Sequence, residues 1–73
     1  MNETLKNLLQ EALEEEIFDH KLHLSHYDNW DSLVGMVIVD KLETHFNFNI
    51  SVAELEDNSL ESLKEKIVSN GIS

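Results

Sequence analysis

The chain contains no cysteine, so it can build no disulfide, no thiolate zinc site and no cysteine nucleophile. Any thiol chemistry in which it takes part must be brought by another molecule. Basic residues are scarce: five lysines and arginines stand against fifteen acids, for a formal net charge of -10. Such a surface repels a phosphate backbone and carries few cations with which to displace its counterions, which excludes nucleic acid as a partner. The same field speeds encounter with proteins that carry basic docking patches and makes those encounters salt-sensitive. Long apolar runs are missing too. No stretch approaches the roughly 18 residues of a membrane span, and Met1, Asn2 and Glu3 open neither a basic region nor an apolar leader, so a soluble, cytoplasmic protein with no membrane partner is expected.

Length sets a further bound. A 73-residue chain has room for one domain, taken as 1–73, because so small a body buries only about 60% of its unfolded surface. It has little volume with which to enclose a substrate, so a monomer without catalysis of its own is expected.

What is present is helical patterning. Leu5, Leu8, Leu9, Ala12 and Leu13 fall at i, i+3, i+4, i+7 and i+8, the stripe of a first helix capped by Asn2 and ending near Glu14, Glu15 and Glu16. From Ile17 to Asp31 the periodicity fails, with no glycine or proline to mark a tight turn. This predicts a long loop pinned to the core by Ile17, Phe18, Leu22, Leu24 and Tyr27. Asp31 or Ser32 caps a second helix running to about His45, too apolar to have a single buried face, with Val34 and Val37 as a small exposed patch for a partner. Ser51 and Glu54 have capping-box spacing for a short third helix. Asn58 and Glu61 repeat that spacing ahead of a fourth, whose stripe is Leu60, Leu63, Ile67 and Val68 and whose end is Asn70 and Gly71.

Ser32 stands out chemically. A serine at the head of a long helix, after an extended loop, holds its hydroxyl in solvent beside unpaired amides and the positive end of the helix dipole, a setting that favours a phosphate ester. The plain alternative is a cap and nothing more.

Asp31, Ser32 and Leu33 at the head of the second helix resemble the Asp-Ser-Leu signature of acyl carrier proteins. Length, acidity, the long first loop, the Leu42 to Phe46 ending of the second helix, Ile50, the short third helix and the apolar fourth fit the same family. The resemblance implies an all-α, acyl-carrier-protein-like four-helix bundle with a short third helix. It also implies that Ser32 accepts 4'-phosphopantetheine from coenzyme A through a phosphopantetheinyl transferase, and that the arm's thiol carries an acyl or aminoacyl group as a thioester. Asp31 then assists at the transferase step and Leu33 packs at the root of the arm.

Two departures bear on partners. Trp30 stands where a small residue is common in the family and is expected to anchor the loop. Val34 and Val37 occupy a stretch of the second helix that is usually acidic, leaving Asp40 and Glu43, with Glu54 from the third helix, to meet basic residues of loading and processing enzymes. That pattern points to a specialised biosynthetic pathway rather than to housekeeping fatty-acid synthesis. An unmodified helical adaptor docking through Val34 and Val37 is the alternative. His20, His23 and His26 are spaced by three, but they lie in the loop and are read as solvated side chains, not as a metal site.

Overall fold

A computed structural model describes residues 2–69. They form α1 (Asn2–Leu13), α2 (Ser32–Phe46), α3 (Val52–Glu56) and α4 (Leu60–Ser69), with a single 3-10 turn at Leu24–His26 in the first loop. The stripe of α1 is realised, since Leu5 and Leu9 are fully buried and Leu8 and Leu13 nearly so. They meet Ile38 and Leu42 of α2, Leu55 of α3, and Leu63 and Ile67 of α4 in one core. Helix α1 packs on α2 and α4, and α3 bridges α2 and the 3-10 turn. Lys41 of α2 pairs with Glu11 of α1 at 3.7 Å, whereas Asn29, just ahead of α2, bonds to Glu14 and Glu15, just past α1. The two long helices therefore run in opposite senses, and the end of α1 lies beside the start of α2.

Helix α1 stops at Leu13, so the glutamate run begins immediately beyond its negative end rather than inside its last turn. Glu14 takes the left-handed conformation, φ 55, that closes such helices and that glycine usually supplies. The Glu15 amide then reaches back to the Gln10 carbonyl at 3.3 Å, and the Gln10 side chain accepts from the Ile17 amide at 2.9 Å.

The long loop is stitched to the corner between α3 and α4. The Leu24 amide donates to the Asn58 carbonyl and the Glu61 amide to the His20 carbonyl, both at 2.9 Å, and the Ser25 hydroxyl donates to the Glu56 carbonyl at 3.0 Å. Ile17, Leu24 and Tyr27 are buried as expected, and Leu22 packs partly against them. Phe18 corrects the expectation: Ile17 takes the inward position, and its neighbour is left 85% exposed.

The start of α4 is also corrected. Ser59, not Asn58, is the cap: its hydroxyl accepts from the Ser62 amide at 3.2 Å, and the Ser62 hydroxyl accepts from the Ser59 amide at 2.8 Å. Asn58 is held elsewhere, buried with its side-chain amide donating to the Glu54 carbonyl at 2.6 Å and its oxygen accepting from the Ser62 hydroxyl at 2.9 Å. It ties the end of α3 to the first turn of α4. Val68, adjacent to the inward Ile67, is turned about 100° away on the helix and is exposed, so the stripe of α4 is Leu60, Leu63 and Ile67. The expected ending at Asn70 and Gly71 lies outside the described residues.

Candidate functional site

Asp31, in extended conformation, is the cap of α2, and its Oδ1 accepts from the Val34 amide at 2.8 Å. Ser32 is thereby the first helical residue of fifteen, and it is exposed. The Gly35 amide already reaches the Asp31 carbonyl at 2.9 Å, so the amides of Ser32 and Leu33 are the ones for which helix geometry provides no acceptor. An anion esterified to the Ser32 hydroxyl would sit beside those donors and the positive end of a long helix. Asp31→Ala removes the side-chain cap and is expected to lower stability by about 1 kcal/mol, a fall of about 4–8 °C in Tm on thermal unfolding.

The approach to Ser32 is fixed from both sides. Asn29 is bonded to the end of α1 twice, its amide donating to Glu15 Oε1 at 3.2 Å and its side chain to the Glu14 carbonyl at 3.3 Å. The left-handed turn at Glu14 presents that carbonyl. On the other side, the Trp30 amide donates to the Tyr27 carbonyl at 3.0 Å and the half-buried indole packs on the core. Gly35 makes this packing feasible. A Cβ there would lie 3.0 Å from both the Trp30 ring and Val52 Cγ1, closer than ordinary carbon contact. Three consecutive residues before Ser32 thus have defined anchors: Asn29 on Glu14 and Glu15 just past α1, Trp30 against Gly35 of α2, and Asp31 on the Val34 amide of α2.

Beyond Ser32, the outward face of α2 is apolar and then acidic. Leu33, Met36 and Val37 are 71%, 58% and 46% exposed, and the exposed Asp40 and Glu43 follow on the next turns. Leu33, Met36, Val37 and Asp40 recur at i, i+3, i+4 and i+7, the spacing of a single helix face. Val34 differs from the expected patch: it is half-buried and packs against the core, so Leu33 and Met36 stand with Val37 instead. Glu54 is exposed on α3, where its amide is held by the Ser51 hydroxyl at 3.2 Å. Sequence reading missed Met36 and Phe18 as surface features. In a helix as uniformly apolar as α2, only the recurrence of the buried Gly35, Ile38, Leu42 and Phe46 at every three to four residues, which leaves Met36 off their face, could have revealed it.

The rings of His23 and His26 stand 5.5 Å apart and tilted by 33°, and no cluster of three or more metal-ligating side chains occurs among the described residues.

A family model described as a phosphopantetheine attachment site matches residues 3–67, nearly the whole chain. The chain belongs to the phosphopantetheine-attachment family. Comparison with curated proteins and with solved structures gave no match. The group carried by the family is 4'-phosphopantetheine, bound covalently, and the all-α fold is the one expected of such carriers. The residues present fit that group: an exposed serine hydroxyl, unspent helix amides and no cysteine to compete for a thioester. Carrier domains of this family meet phosphopantetheinyl transferases and acyl-processing enzymes. No helix among the described residues is long and apolar enough to cross a membrane.

Proposed function

We propose that Ser32 is the attachment point of the phosphopantetheine arm and that the chain, as a single monomeric carrier domain in the cytoplasm, performs no catalysis of its own. When bound, the arm supplies the terminal thiol that holds an acyl or aminoacyl cargo as a thioester. The observation that carries this reading is the exposed hydroxyl of Ser32 at the first residue of α2, inside an Asp-Ser-Leu tripeptide that the family match spans. Asp31 serves by holding the helix start open to the incoming group, and Leu33 by placing an exposed apolar side chain next to the root of the arm.

The partner surface proposed is the face of α2 with Leu33, Met36 and Val37 at its centre and Asp40 and Glu43 at its edge, joined by Glu54 of α3. Its apolar centre suits enzymes that dock through apolar contact as well as charge, which supports a specialised biosynthetic pathway over one that reads acids alone.

The missing cysteine supplies a clean test. Colorimetric thiol titration of the denatured chain is expected to give none before treatment with coenzyme A and a phosphopantetheinyl transferase, and one per chain afterwards. Ser32→Ala is expected to give none in either case. A full thiol titre in Ser32→Ala would place the arm elsewhere.

A further inference from the structure

Phe18 is a large apolar side chain that the fold leaves 85% exposed. With Leu22 and Tyr27 it lines an open groove of about 310 Å³ on the first loop, whose polar lining is four carboxylates, Glu15, Glu16, Asp19 and Asp28, and one imidazole, His26. No lysine or arginine lines this groove. Neither Lys41 nor Glu11, which pair between α2 and α1, lines it.

We propose that this groove is a second docking surface, which receives from a partner protein a segment with lysine or arginine on both sides of an apolar residue. The apolar floor has room for one large side chain, and the four carboxylates stand where flanking cations would lie. Charge complementarity selects the occupant: an anionic or neutral segment would meet the rim at a cost, whereas a basic one is drawn in. The phenol of Tyr27 registers the local field, since burial first, and then the carboxylates of Asp19 and Glu15, push its pKa above the ordinary value. The Tyr27 hydroxyl is itself held by the Asp19 carbonyl at 3.1 Å, so that wall of the groove is already formed. Asp28 is four residues from Ser32, at most about 14 Å of extended chain. A partner gripping the groove is therefore held close to the head of α2 without covering the Leu33, Met36 and Val37 face. The inference concerns the bare polypeptide and holds whether or not Ser32 is modified.

The test is an NMR titration of the unmodified, isotope-labelled full chain with the short peptide Lys-Lys-Leu-Phe-Lys-Lys. Shift changes are expected to centre on residues 15–28 and to weaken at high salt. Phe18→Ser, which removes an exposed side chain and is expected to leave the circular dichroism spectrum unchanged, is expected to weaken binding about tenfold. The same peptide with glutamate for lysine is expected to cause no shifts. The proposal is overturned if no shifts occur, if they fall on α2 while the groove stays silent, if Phe18→Ser binds undiminished, or if the glutamate peptide binds equally well.

Discussion

Leu24→Ala is expected to lower the free energy of unfolding by about 2–5 kcal/mol, because it removes a fully buried side chain from a well-packed site and leaves a cavity. At about 0.05–0.15 kcal/mol per residue, a chain of 73 has about 4–11 kcal/mol in all, so the loss is a large share of the total. Leu24 is also where the long loop is fastened. Its amide donates to the Asn58 carbonyl, and the turn it begins packs on α3. The loop leads directly into Asn29, Trp30 and Asp31, so loosening Leu24 frees the segment that sets the position of Ser32. Urea unfolding followed by circular dichroism measures the effect as a lower midpoint at unchanged slope. A loss below about 1 kcal/mol would show that the loop rests on the surface rather than in the core.

Met36→Asp is expected to reduce kcat/KM for the enzyme that loads the carrier by about thirtyfold or more, with no comparable change in stability. Met36 is 58% exposed in the free protein, so the fold does not depend on it. If partners dock on the proposed Leu33, Met36 and Val37 face, the same position lies at its centre, where an added carboxylate would be desolvated against an apolar surface. Central interface positions of this kind cost about 2 kcal/mol or more, which is the thirtyfold. Thr4→Asp, exposed on α1, adds the same charge outside the Leu33, Met36 and Val37 face and is expected to change loading only a few-fold. Equal effects of the two substitutions would show that net charge, not contact, governs the encounter.

Much of this architecture is legible in the sequence because its determinants are local. The Leu5, Leu9 and Leu13 spacing dictates α1, Ser51 with Glu54 starts α3, and Asp31 ends the loop with a cap that needs no distant partner. The motif at Ser32 is legible for the same reason. The departures occur where the outcome depends on residues far apart in the chain. Asn58 has the right spacing to cap α4, but its buried amide is claimed by the Glu54 carbonyl, and Ser59 caps in its place. Phe18 and Ile17 are equally apolar neighbours, and only the docking of the loop against α1 and α4 decides which one turns inward. Val34 looks like surface beside a cap until α2 is rotated by the demand that bare Gly35 face Trp30 and Val52.

The central claim is that one hydroxyl, at the head of α2, takes the arm. Tandem mass spectrometry of the proteolysed chain, after incubation with coenzyme A and a phosphopantetheinyl transferase, tests it most directly. Serines also stand at 25, 51, 59, 62, 69 and 73. The predicted result is a single phosphopantetheinyl adduct on the peptide that contains Ser32, localised to that residue. An adduct on any other serine, or an unmodified chain after a treatment that modifies a known carrier in parallel, contradicts it.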